Sequence, residues 1–287
     1  MRPELIEASG LLRSPDPKAV DRALALLQKT VFSFSMKVCG HREDAEDTMQ
    51  DVLFKSLPYL HKIENPQALA VWLYKVTRNR CWMSRRKSRF APEHTLSLDE
   101  LMPEPAELEA LLHSAAHSPE AQAISKQNTE QLLHAVQRIP AKYRLILVLH
   151  DMEELNASEV AKITGLQEGT VRVRLHRARL FVRRELAALA SDKETSAAKS
   201  SSRVRVRRSV DCKRIFAGLS DYMEGTLDDA TCARFRSHIQ GCASCVAFLE
   251  DLSRAVERCR TQEVDCESTT AHALRKLLLQ EYQRLTA

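Results

Sequence analysis

The sequence predicts an all-α chain of small helical blocks joined by linkers. Only 7 of its 287 residues are glycine, and the good helix formers Leu, Ala, Arg and Glu dominate. Apolar residues recur at helical spacing, while runs of β-branched or aromatic residues are scarce. The helical pattern lapses in two places, around Pro92, Pro103 and Pro105 and in a Ser/Lys/Arg-rich run before residue 209 that lacks apolar periodicity. A chain of this length suits two or three domains rather than one core. The expected blocks are 16–90, 119–190 and 209–287. Residues 91–118 form a linker with room for one short helix, and 191–208 a flexible basic linker.

Net charge is only +5, yet it is unevenly spread. No acid occurs between Glu64 and Glu93, where Arg78, Arg80, Arg85, Arg86, Lys87 and Arg89 fall. A second basic block runs from Arg172 to Arg184, and a third is Arg203, Arg205, Arg207 and Arg208. Local blocks in a nearly balanced chain point to polyanion contacts. No apolar run reaches a membrane span and no signal core opens the chain, so a cytoplasmic protein without membrane contact is expected. Eight cysteines in that setting suggest metal ligands or buried thiols, not a disulfide framework.

The middle block carries a helix-turn-helix over about 156–186. Asn156 can cap a short helix, and Glu159 three residues later completes a capping box. Val160, Ala161 and Ile163 give that helix an apolar face. Gly165 permits the left-handed exit. A longer helix opens at Glu168 or Gly169. Val171, Leu175, Ala178 and Val182 place one stripe of it toward the core. Arg172, Arg174, His176, Arg177, Arg179, Arg183 and Arg184 take the remaining surface, which suits the major groove of DNA. Near the helix N-terminus, Thr170, Arg172 and Arg174 are the candidates for base contact. Arg177 and Arg179 are candidates for phosphate contact.

Together with Ile139-Pro140-Ala141-Lys142-Tyr143-Arg144, Leu147 and Leu149, this block resembles the C-terminal domain of extracytoplasmic-function sigma factors, which reads the promoter −35 element. Gln167 departs slightly, since the family often has Ser or Pro there.

In the first block, His41 to Phe54 fits an amphipathic helix with Ala45, Met49, Val52 and Leu53 inward. Asp44, Asp47, Gln50 and Asp51 form a mostly acidic stripe. The stretch resembles the same family's motif for the clamp helices of the polymerase β′ subunit, with Phe54 one position later than usual. After Asn65-Pro66 a helix carries Leu69, Trp72, Leu73 and Val76, with Trp72 and Leu73 expected in the core. It continues into Asn79, Arg80, Arg85 and Arg86, a basic, amide-bearing face. The resemblance implies that this face meets the −10 element during strand opening, and that the loop 61–66 lies where a flipped base is captured.

The last block holds His238-x-x-x-Cys242-x-x-Cys245, three ligands within a turn and a helix start. With Cys212 upstream they make a Cys₃His set, a common closed zinc site. Cys232 is the rival fourth ligand. It lies six residues before His238 on an expected helix from Asp228 to Gln240, which favours a place in the core. The pattern from Cys212 through Tyr222-Met223-Glu224-Gly225-Thr226-Leu227 to Cys245 resembles the zinc-binding anti-sigma domain. Helices at 243–259 and 269–285 should follow, the latter with Leu274, Leu277, Leu278, Tyr282 and Leu285 as its apolar face.

The resemblances imply a sigma factor for RNA polymerase and promoter DNA, whose zinc domain either regulates it by contact with its own sigma domains or is purely structural. A DNA-binding regulator without polymerase contact leaves the 44–89 region unexplained. A zinc enzyme is disfavoured because four protein ligands leave no open metal position, and no nucleophile triad or Gly-rich phosphate loop is present. No catalytic residue is expected.

Overall fold

The structure is a computed structural model that describes residues 2–85, 101, 125–194, 210–262, 264, 266 and 269–286. The described residues are helical without strands. They form α1 (Pro3–Leu11), α2 (Pro17–Cys39), α3 (Arg42–Leu60), α4 (Pro66–Arg85), α5 (Ser125–Arg138), α6 (Ala141–Leu147), a π-helical turn (Val148–Met152), α7 (Ala157–Thr164), α8 (Glu168–Glu194), α9 (Val210–Met223), α10 (Asp229–Gly241), α11 (Ala243–Arg260) and α12 (Thr269–Thr286). α8 runs four residues into the expected flexible linker. The rest of that linker, and all of 91–118 except Leu101, lie outside the described residues.

The chain folds into two compact units that cut across the sequence blocks. The first comprises Met1–Ala91, Val148–Glu168 and Gln262–Ala287, the second Pro92–Leu147 and Gly169–Thr261. The helix-turn-helix thus gives its first helix to one unit and its second to the other.

In the first unit, α2 is the central element. Asp16 caps it by accepting from the Lys18 N–H at 3.0 Å, Pro17 supplies the first helical φ, and Gly40 ends it at φ 85°. Its Leu24, Leu27, Val31 and Phe34 are buried, and α1, α3, α4 and α12 all pack on it. α1 was not expected. Its one apolar stripe of Leu5 and Ala8, continued by Leu12, is short, so the periodic signal is weak. On α3, Ala45, Met49, Val52 and Leu53 are buried as their spacing requires. Leu73 is in the core, but Trp72 is only half-buried, its ring 5.9 Å from that of exposed Tyr59.

α12 lies on α2 and α3 through Ala271, Leu274, Leu278 and Tyr282. The Gln28 amide donates to the Ala271 carbonyl at 3.0 Å and the Tyr282 hydroxyl to the Leu12 carbonyl at 2.9 Å. Leu277 and Leu285 are 54% and 40% exposed, so the buried face is narrower than the leucine pattern suggests. Leu277 is turned about 100° from Leu278, and Leu285 belongs to the final turn.

Val148–Glu168 enters the same unit by an irregular route. The π turn is followed by Glu153 and then by Glu154 at φ 57°, a left-handed conformation that a non-glycine residue seldom adopts. Asn156 and Glu159 then form the expected reciprocal capping box, with both bonds at 2.9 Å, and Gly165 closes α7 at φ 73°. α7 packs against α4.

In the second unit, Val171, Leu175, Ala178 and Val182 of α8 are buried as expected. Phe181 stacks on Tyr143 of α6 with ring centroids 5.5 Å apart. α9, α10 and α11 pack pairwise into a three-helix module. Its core includes Phe216 edge-on to Phe248 at 4.7 Å. A Cβ at Gly218 would lie 2.7 Å from the Phe235 ring, so this crossing needs glycine.

Candidate nucleic-acid interface and metal centre

The second helix of the helix-turn-helix, α8, has two unlike halves. Toward its N-terminus Arg172 is exposed, and Thr170, Arg174 and Arg177 are half-buried. Arg177 also donates to the Tyr143 hydroxyl at 3.1 Å. Further along, the expected outer face is covered. His176, Arg179 and Arg183 are 7%, 0% and 2% exposed. The partners come from α9–α11. Arg179 pairs with Glu224 at 2.5 Å, and Arg183 pairs with Asp251 at 2.7 Å while lying 4.4 Å over the Phe248 ring. His176 Nδ1 meets the Ser220 hydroxyl at 3.0 Å. A cavity of about 380 Å³ continues this contact, lined by Arg172, Val173, His176, Ala217 and Asp221.

Burial, reinforced by the charges of Arg179 and Arg177, pulls His176 down to about 4, so its ring is neutral at ordinary pH. Each acid also holds an arginine of its own module. Glu224 is 3.7 Å from Arg260, and Asp251 is 3.2 Å from Arg254. The sequence placed Arg179 on the open surface because a helical wheel shows which residues share a face, not what covers it.

In the first unit, Asp47 and Gln50 are exposed on α3 and Asp44 and Asp51 half-buried. Asp51 pairs with Arg80 of α4 at 2.6 Å, linking the acidic stripe to the basic helix. Asn79 and the loop residue His61 are exposed. Arg78, part of the first basic block but not among the residues expected at the −10 element, donates to the Ile163 carbonyl in the last turn of α7. Arg85 ends α4, and Arg86 lies outside the described residues.

Cys212, His238, Cys242 and Cys245 come together with their ligand atoms all within 4.8 Å of one another. His238 Nε2 is 3.6 Å from Cys212 Sγ and 3.3 Å from Cys245 Sγ. The C-terminal turn of α10 supplies His238, the start of α11 supplies Cys242 and Cys245, and α9 supplies Cys212. Zinc–sulfur bonds of about 2.3 Å put tetrahedral ligands about 3.8 Å apart, so the donor set and its spacing fit one such ion. Burial, with Cys242 and Cys212 beside it, drives the Cys245 thiol upward. Cys232 stands apart, half-buried and accepting from Arg236 at 3.2 Å rather than packed in the core.

Comparison with known proteins finds three family matches along the chain. Residues 24–90 match the family model for sigma-70 region 2, residues 129–182 that for sigma-70 region 4, and residues 212–245 the model described as "Putative zinc-finger". The chain thus carries sigma-70 region 2 and region 4 domains followed by a zinc-finger domain. The similar proteins include extracytoplasmic-function sigma factors. The chain is 22% identical over 175 residues to SigW of Bacillus subtilis, a match covering 61% of this chain and 92% of that protein. It is 30% identical over 172 residues to the probable sigma factor RfaY of Xanthomonas campestris pv. campestris, covering 59% of this chain and 40% of that one. It is 28% identical over 169 residues to SigE of Mycolicibacterium smegmatis, covering 58% and 61% respectively. The two sigma-70 domains and these relatives support a sigma factor for promoter-specific initiation of transcription, and the zinc-finger match fits a fused anti-sigma-like module. Among the described residues no helix is long and apolar enough to cross a membrane.

Proposed function

We propose that this sigma factor is regulated by its own zinc-binding module, which covers the DNA-reading helix until a signal removes it. The observation that carries the reading is the burial of Arg179 and Arg183 of α8 against Glu224 and Asp251. A guanidinium that meets a phosphate in the DNA complex meets a carboxylate in the covered state. The two partners therefore compete for the same groups.

In the uncovered protein, Thr170, Arg172 and Arg174 read bases of the −35 element, and Arg177 and Arg179 hold phosphates. Asn79, Arg80, Arg85 and Arg86 meet the −10 element, where cationic surface offsets part of the cost of unpairing. Asp44, Asp47, Gln50 and Asp51 bind the β′ clamp helices. Zn²⁺ on Cys212, His238, Cys242 and Cys245 has four protein ligands, so it organises α9–α11 and supplies no open position for chemistry. No step is catalysed by this chain, which acts with polymerase on promoter DNA in the cytoplasm.

The test is transcription by core polymerase on a promoter library, comparing the full chain with one ending at Ala190. The shortened chain should bind and initiate at least tenfold more strongly. Equal activity of the two chains would remove the covering role and leave zinc a structural part.

A further inference from the structure

The first unit contains a buried ionic cluster that neither promoter contact nor zinc binding uses. Glu153, 1% exposed at its side chain, receives Lys37 Nζ of α2 at 2.8 Å, with the Lys37 side chain wholly buried. It also accepts from the Tyr74 hydroxyl of α4 at 2.7 Å and lies 3.3 Å from Arg2 Nε. Burial, together with the Glu153 charge, keeps the Tyr74 phenol well above its ordinary value, so it remains a donor. Arg2 spans further, donating to the Met152 carbonyl at 2.9 and 2.7 Å and to the Gln262 carbonyl at 3.4 Å. The backbone is shaped for this. The π turn ends at Met152 and Glu154 takes the left-handed conformation, so an irregular stretch on both sides delivers one carboxylate into the core.

We propose that Glu153 is the keystone of a second, zinc-independent lock, which docks Val148–Glu168 with the first half of the helix-turn-helix onto the helices of the −10 domain. The proposal rests on the sigma-factor reading but not on the covering role of α9–α11. Promoter elements read by the two sigma domains are separate sites, so engagement of both requires α7 to leave α4. An ion pair is a suitable fastener for a contact that must open. Buried apolar packing of the same volume often holds more tightly, whereas separated Lys37 and Glu153 regain water. Removing one partner alone leaves an unpaired buried charge and favours opening. Replacing the whole cluster with apolar groups favours closure.

The experiment uses the full zinc-loaded chain with core polymerase. Its readouts are amide hydrogen exchange over Ala157–Thr164 and promoter affinity by fluorescence anisotropy. Glu153→Gln should raise both at least tenfold. The triple change Lys37→Met, Tyr74→Phe and Glu153→Leu should return exchange to the slow wild-type rate and hold promoter affinity at or below wild type. The lock is overturned if Glu153→Gln leaves either readout unchanged, or if the triple variant behaves like the single one. Should Glu153→Gln fail to fold, the triple variant decides alone. Slow exchange with affinity at or below wild type supports the lock, and any other result overturns it. A chain that responds to Glu153→Gln but not to zinc removal would sink the covering role and leave this lock standing.

Discussion

At the scale of single residues, the charges on α8 show how far a helical pattern reaches. The stripe of Val171, Leu175, Ala178 and Val182 was legible because core packing imposes a period. The burial of Arg179 was not, because its partner Glu224 lies 45 residues away and no period links them. Glu224→Ala should strand Arg179 and weaken docking of the module by about 2–5 kcal/mol. Promoter affinity of the full chain, measured with polymerase present, should rise more than tenfold. His176 adds a pH dependence. Its pKa falls from the ordinary value of about 6.5 to about 4 in the covered state, so that state binds fewer protons. Covering is fully stable above about 6.5 and weakens as pH drops through the window down to about 4. Promoter affinity should therefore rise between pH 7.5 and 5.5 in the wild type and stay flatter in His176→Leu. An identical pH response in both proteins counts against the assignment.

At the scale of elements, local chemistry predicted boundaries well where caps are encoded. Asn156, Glu159 and Gly165 fixed α7 from sequence because each satisfies a backbone group within its own turn. Asn156→Ala should cost about 1 kcal/mol, visible as a lower melting temperature. α12 was found, but its buried face was drawn too wide, since leucine spacing alone does not say which leucines meet a neighbour. Leu278, 0% exposed, and Leu277, 54% exposed, separate the two cases. Leu278→Ala should destabilise by about 2–5 kcal/mol, and Leu277→Ala by no more than about 0.5 kcal/mol. Paired thermal melts check the contrast. α1 and the π turn left little trace in the sequence, one because it is short and the other because an extra residue in a helix has no composition of its own.

At the scale of the whole molecule, the order of the blocks was readable and their partnership was not. The Cys/His spacing singled out four residues that do converge, because three of them lie within eight positions of one another. Nothing comparable in the sequence announces that α9–α11 share a unit with α8 while α12 shares one with α2 and α3. That division has a consequence for deletions. Ending the chain at Ala190 removes an element from both units, whereas stripping the metal acts on one. Chelation should loosen α9–α11, since structural zinc contributes about 10–16 kcal/mol to small metal-bound domains. Helicity by circular dichroism should fall with chelator and recover with added Zn²⁺, and promoter affinity should move in the opposite sense.

The double engagement of Glu224 and Asp251 bears on what happens after release. Each carboxylate that gives up an arginine of α8 keeps a second one, Arg260 or Arg254, within its own module. Departure of the helix would therefore leave each acid one arginine neighbour. Under the covering role proposed above, the module is expected to act as a resettable toggle rather than a fuse, recapturing the same helix once the signal has passed.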